Sequence, residues 1–259
     1  MTEETIGVQA SNPVKTAEEI EAIKAAQAIT DAAYAHIIWF IKPGVTEKDV
    51  AEELDRFMLE QGADDVSFPT IVAFGPHAVD WHHEPIDQPL FAGMQLVMDF
   101  GAKKDGWCSD MTRTIFIGDA NPFYKYAYEA LCAANEAVVA MLKPGVTGRE
   151  AHELAESILA DWGFPNLMGH GLGHGVGTLV HEEPRLHPDN DKPLEVGNVL
   201  TVEPGIYIPM GFELYAPNHG LNFSIPLPKF GMRLEDMGVI TEDGFEVFTQ
   251  SPHEAVILE

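Results

Sequence analysis

IKPGVT, residues 41–46, returns as LKPGVT at residues 142–147. Each copy leads into a helical pattern. After Thr46, Asp49 stands at the capping-box position, and Val50, Leu54, Phe57 and Met58 recur at helical spacing before a stop at Gly62. After Thr147, Glu150 takes the capping position, Ala151, Leu154, Ile158 and Leu159 form the apolar face, and Gly163 ends it. The two glycines keep the offset of the two KPGVT segments, so the match outruns the pentapeptide.

Working outward, a longer helix precedes each copy. Thr16 and Glu19 frame the first, with Ile20, Ile23, Ala26, Ala33 and Ile37 on one face. Asn121-Pro122 opens the second, a cap followed by proline in the first turn. Downstream, Trp81-His82-His83-Glu84-Pro85 resembles Val180-His181-Glu182-Glu183-Pro184, and Gly93–Ala102 resembles Gly197–Ile206. The second pair sets Asp99 and Glu203 at the same step after a turn glycine. An internal duplication follows: an α+β chain of two pseudo-symmetric halves, about residues 16–119 and 120–250, within one domain spanning 1–259. Antiparallel sheets inside and helices outside would leave a shared cleft between the halves.

The chain carries 41 acidic against 15 basic side chains, a formal net charge of -26, which argues against nucleic-acid binding. No apolar run approaches the roughly 18 residues of a membrane span, and the first residues lack a signal-peptide pattern. Cys108 and Cys132, the two cysteines, are too few for a disulfide framework. A cytoplasmic setting without a membrane partner is the expectation.

MQLVMDFGAKKDGWCSDMTRTIFIG, from Met94 to Gly118, reads as two strands joined by a turn around Lys103-Lys104-Asp105-Gly106. Asp99 closes one strand and Asp110 opens the other. Alternation puts Asp110, Thr112 and Thr114 on one face, with Met111 and Arg113 on the opposite one. Glu203 and Glu235 lie at the edges of apolar strands in the second half, and Arg233 shares a face with Glu235. Burying such acids requires compensating cations, either arginines or metals. Any single acid is explained by an ion pair with Arg113 or Arg233, but four acids outnumber those two arginines. The nitrogen donor is sought in GHGLGHGVGTLVHEEP, residues 169–184, where alternating glycines oppose a helical His170/His174 pair.

Here the sequence resembles the metal-dependent pita-bread peptidases, the group of methionine aminopeptidases, aminopeptidase P and prolidase. The resemblance runs from the helix at Thr16 to the strand ending near Val247. It implies the pita-bread fold and a ligand set of Asp99 in MDFGA, Asp110 in CSDMTRT, His174 in GHGVG, Glu203 in VEPGIY and Glu235 in RLED. DFGA, SDMTRT and RLED are closer to the Xaa-Pro peptidase branch than to the methionine aminopeptidases. The resemblance also implies substrate-side roles for His82 and His181.

The implied enzyme is a dinuclear metallopeptidase acting on a peptide substrate, its oxygen-rich donors suited to Mn, Co, Zn or Fe ions. Asp110 and Glu235 would bridge two divalent ions, Asp99 would hold one, and His174 with Glu203 the other. Glu203 would also accept the proton of the attacking water, while His82 and His181 stabilise charge at the scissile bond. Arg233 is expected behind the ligand carboxylates, and His83, His170 and His187 behind them or at the surface. A general or methionine aminopeptidase, a small-amide hydrolase, or a non-catalytic peptide-binding member of the fold are the alternatives. Two departures from the family are expected: no N-terminal creatinase-like domain, and a longer segment from Met210 to Phe230, with Tyr215, His219 and Phe223, serving as a lid, a homodimer contact or a surface loop.

Overall fold

Thr16, Thr46 and Thr147 each accept a hydrogen bond from the backbone N–H three residues on, and the carboxylates of Glu19, Asp49 and Glu150 accept one from the threonine backbone N–H. These capping boxes start α1 (Ala17–Phe40), α2 (Glu47–Glu60) and α4 (Gly148–Asp161). Asn121 caps α3 (Pro122–Met141) through its side chain. The computed structural model describes residues 10–119, 121–254 and 256–258, so Ala120, at the expected join between halves, lies outside the described residues.

The KPGVT turns dock in the same manner. Gly44 N donates to Leu90 O and Leu90 N to Val45 O; Gly145 N donates to Leu194 O and Leu194 N to Val146 O, at 2.8–2.9 Å. Thr46 bridges Pro89, and Thr147 bridges Pro193. The repeat in sequence therefore marks a repeated backbone junction between a helix start and a returning loop.

Two antiparallel sheets form the interior. One has the order Ile257–Leu258, Met111–Ile117, Met94–Phe100, Ile71–Phe74, with only the first strand parallel to its neighbour. The other runs Phe245–Val247, Asp236–Ile240, Val199–Val202, Gly173–Gly175, Glu182–Leu186. α1 and α2 cover the first through Ala33, Ile37, Val50, Leu54 and Met58 against Val72, Leu96 and Met98. α3 and α4 cover the second through Leu131, Val138, Ala155 and Leu159 against Leu200 and Val202. Full burial of each such leucine or isoleucine contributes about 2 kcal/mol.

The apolar face of α1 is divided. Ala33 and Ile37 serve the first core, whereas Ile23, with Ile20 beside it, packs on Val176, Val199 and Met237 of the second sheet. Just before α1, Lys15 forms a buried ion pair with Glu182 at 3.1 Å. The start of the described chain thus ties the two sets of elements together.

The hairpin expected from Met94 to Gly118 is interrupted. Met94–Phe100 and Met111–Ile117 pair in register, but Ala102–Lys104 and Trp107–Cys108 leave that sheet and join Asp65–Val66 in a separate one. The break falls at Gly101, where a Cβ would meet the backbone oxygen of Ser109 at 1.9 Å. Only glycine permits that crossing of the two chains. Met210–Phe230 is a further hairpin, Glu213–Ala216 with Leu221–Pro226, rather than a plain loop. Its tip rests on the end of α4, with Asn218 and His219 on the Asp161 carboxylate and the His219 ring 4.1 Å from that of Trp162. The side chain of Phe223 lies outside the described residues.

Candidate metal centre

Strand register assembles the site. Asp99 stands opposite Thr112, and Asp110 precedes that strand on the Thr112 face by period-two alternation. In the other sheet Asp236 stands opposite Val202, so Glu235 and Glu203 are the next residues beyond the paired ends. His174 lies on Gly173–Gly175, which pairs with Val199–Val202. The glycines there serve close approach: a Cβ on Gly173 would meet Thr201 O at 2.1 Å. His174 is held by its own backbone N–H on Thr201 Oγ1 at 3.2 Å.

These side chains converge. Asp110, His174 and Glu235 each offer a donor atom within 4.8 Å of the others. His174 Nε2 lies 3.5 Å from Asp110 and 3.4 Å from Glu203, while its Nδ1 lies 3.1 Å from Gly175 O. A Nδ1–H donated to that carbonyl leaves the Nε2 lone pair facing the carboxylates, the tautomer a metal ligand needs.

Arg233 is the guanidinium of the cluster. It donates through Nη2 to Asp99, through Nη1 to Tyr207 Oη at 2.8 Å and through Nε to Thr112 Oγ1 at 2.9 Å. Thr112 in turn donates to Glu235 Oε2 at 2.8 Å. Arg113 points the other way, to Asp236 at 2.7 Å and to the backbone oxygens of Glu235 and Ser251. One arginine therefore faces the four carboxylates, and the buried atoms Asp99 Oδ1 and Glu235 Oε1 have no hydrogen-bond partner.

The electrostatics follow from that imbalance. Burial, then the charges of Glu235, Asp99 and Glu203, hold the Asp110 carboxyl well above the usual carboxylate range. Burial, then Glu203 and Asp99, do the same to Glu235. Burial raises Glu203 to about 8 although Arg233 opposes it. Burial, then the His181 ring, lowers His174 to about 3, so its imidazole stays neutral. Unpaired lone pairs, crowded carboxyls and a neutral imidazole form an oxygen-rich set suited to hard or borderline divalent cations, taken up in exchange for protons.

The remaining histidines divide. His181 is exposed, with its ring 4.3 Å from that of His174 in an edge-to-face arrangement. His82 is exposed and meets Trp81 at 6.2 Å. His170, expected behind the carboxylates or at the surface, lies 2.9 Å from Tyr207 Oη and 5.8 Å from the Trp81 ring. His187 packs 6.2 Å from His152, and His83 binds Glu47, away from these carboxylates. Tyr207 and Thr112 link Arg233 to the site but were not singled out by sequence. Both lie in apolar strand runs; Tyr207 gains its role from Arg233 on the neighbouring strand of its own sheet, and Thr112 from Arg233 and Glu235 brought across from the second half.

A model of metallopeptidase family M24 matches residues 21–242. The uncharacterized peptidase YqhT of Bacillus subtilis (strain 168) is 40% identical over 245 residues, 95% of this chain and 64% of that protein. The Xaa-Pro dipeptidase of Pyrococcus furiosus is 35% identical over 242 residues, 93% of this chain and 64% of that protein. The solved structure of an Xaa-Pro dipeptidase from Bacillus anthracis superposes with a TM-score of 0.86 at 40% identity, covering 95% of this chain and 64% of that one. The fold and the family match define a pita-bread metallopeptidase class: the chain belongs to metallopeptidase family M24, whose members use divalent metal ions. It spans just under two thirds of the length of these relatives. Among the described residues no helix is long and apolar enough to cross a membrane.

Proposed function

We propose that this chain forms a dinuclear metal-dependent exopeptidase that hydrolyses the N-terminal amide bond of peptides, with preference for Xaa-Pro. The observation that carries this reading is the convergence of four carboxylates and one neutral imidazole around a single arginine, with buried carboxylate oxygens lacking partners. Relatives named as Xaa-Pro dipeptidases support the choice of substrate.

Asp110 and Glu235 would be shared by two divalent ions, Asp99 would help to hold one, and His174 with Glu203 the other. Bound there, divalent ions such as Mn, Co, Zn or Fe supply Lewis acidity and lower the pKa of the attacking water. Glu203 would accept the proton from that water. His181, against His174 at the exposed side, stabilises charge developing on the scissile carbonyl. His82 handles the leaving nitrogen, which in an Xaa-Pro bond carries no hydrogen of its own and must be protonated as it departs. Arg233 holds Asp99 in its ligating position through the charge-assisted pair and fixes Glu235 through Thr112.

The test is hydrolysis of Gly-Pro, an Xaa-Pro tripeptide and a Met-Ala peptide with Mn(II), Co(II) or Zn(II), alongside Asp110→Ala. Proline-selective, metal-dependent turnover that falls about a thousandfold in the variant is expected, because losing a bridging ligand removes several kcal/mol of transition-state stabilisation. Full activity in Asp110→Ala, or metal binding by the wild type with no cleavage of any peptide, rejects the reading.

A further inference from the structure

Away from the carboxylate cluster, the first residue of α2, Glu47, has a side chain with 0% exposure. Its carboxylate is held by two backbone donors, Phe74 N to Oε1 at 2.8 Å and Ile86 N to Oε2 at 3.1 Å. Two imidazoles then close on the same group: His77 Nδ1 on Oε1 at 2.8 Å and His83 Nε2 on Oε2 at 2.9 Å. The rings stack 4.9 Å apart at 24°, and donor atoms from the three residues all lie within 4.8 Å of one another. His77 is about one third exposed and gives the group an open side.

The fold does not need this arrangement. At the matching position of the second half stands Gly148, where a Cβ would meet Arg185 O at 2.1 Å. There the helix start is joined to its loop by Arg149 N donating to Asn190 O at 2.9 Å. The second half thus makes the junction without a buried carboxylate, through backbone bonds, an Asn190 side-chain bond and the exposed Arg149–Asp191 pair, while the first half adds a buried carboxylate and two histidines to its backbone bonds.

The geometry points to a separate divalent-cation site, formed by Glu47, His77 and His83, for a Zn(II)-class ion in addition to the centre proposed above. Two imidazole nitrogens and one carboxylate are a sufficient protein set for such an ion with solvent completing its coordination. The backbone N–H groups of Phe74 and Ile86 already orient the carboxylate, as partners behind metal-ligating carboxylates do. Uptake exchanges the two imidazole–carboxylate hydrogen bonds for two nitrogen–metal bonds, and the proton on each carboxylate-facing nitrogen, His77 Nδ1 and His83 Nε2, moves through solvent to the other nitrogen of the same ring, so each imidazole stays neutral. The large net negative charge, -26, favours accumulation of cations at the surface.

The test counts zinc in the full chain after chelator treatment and dialysis against Zn(II), for the wild type, His77→Asn and Asp110→Ala. An asparagine amide can still donate to Glu47 but is a poor zinc ligand, so His77→Asn separates binding from folding. His77→Asn is expected to bind one zinc equivalent fewer than wild type, to melt like wild type in EDTA, and to keep wild-type peptide turnover with Mn(II). Asp110→Ala is expected to retain the equivalent that His77→Asn loses. With Co(II) as probe, Asp110→Ala should show visible absorption bands that vanish on adding His77→Asn. Equal zinc counts in wild type and His77→Asn, or no histidine-dependent bands in Asp110→Ala, overturn the site. The zinc count does not depend on peptide hydrolysis, so an inactive wild type would refute the peptidase reading and leave this one standing.

Discussion

At the start of α2 a buried carboxylate, Glu47, stands between helix and returning loop, whereas at the start of α4 the backbone of Arg185 comes straight against Gly148. The flanking hydrogen bonds of the two KPGVT turns are nevertheless the same. Duplicated topology therefore survives in backbone contacts while the side chains that fill the junction diverge. The site divides along the same line. Asp99 and Asp110 come from the first set of elements, and His174, Glu203 and Glu235 from the second, so neither set holds the cluster alone.

The largest stability effect expected from breaking this comparison is Glu47→Ala. It strands the buried donor Phe74 N and the part-buried donor Ile86 N and takes the partner from two histidines, at a cost of about 4 kcal/mol in all. Urea denaturation read as a midpoint shift at constant slope checks it, and a change below about 1 kcal/mol would show that water replaces the carboxylate.

Next comes Glu182→Gln, expected to cost about 3 kcal/mol near neutral pH because it leaves buried Lys15 without its ion partner. Burial alone would raise the Glu182 carboxyl, but hydrogen bonds from Ser11 and Leu179 and the Lys15 charge hold it below the usual value of 4.5. A depressed folded-state pKa gives stability that is complete above 4.5 and is lost as pH falls through the lower folded value. Denaturation midpoints measured across that acid range should converge for wild type and variant as pH falls. A constant gap would mean that Glu182 contributes by shape alone.

The smallest effect expected is Gly148→Ala, about 2 kcal/mol destabilising. Alanine is the better helix former by about 1 kcal/mol, but the clash with Arg185 O is with backbone and cannot be relieved by turning a side chain. A thermal melt higher than wild type would show that the second junction relaxes and that its difference from the first is not enforced by packing.

Much of this architecture was legible because it is local. Thr16, Thr46 and Thr147 are followed at the third residue by Glu19, Asp49 and Glu150, and a helix start is decided within that span. The five candidate ligands stand in short motifs whose order survives in the chain, and the register of two strand pairs draws them to one place. The break at Gly101 was not legible, since DFGAKKDGW reads as a continuing strand and turn until Ser109 O is found against the glycine. Nor was Glu47, an ordinary first-turn acid in sequence, whose burial depends on a loop that returns from residues 74–86.

By itself the sequence determined the duplication, the helix starts, the α+β class and the donor residues offered for a metal centre. Tertiary structure alone decided which cation answers which acid. Strand alternation sets Arg113 away from the Asp110 face and Arg233 on the Glu235 face, but only the fold pairs the first with Asp236 and the second with Asp99, while Lys15 crosses to Glu182. The reason is physical: helix caps and strand alternation are fixed by neighbours in the chain, but the free energy of a buried charge is set by whichever distant groups surround it.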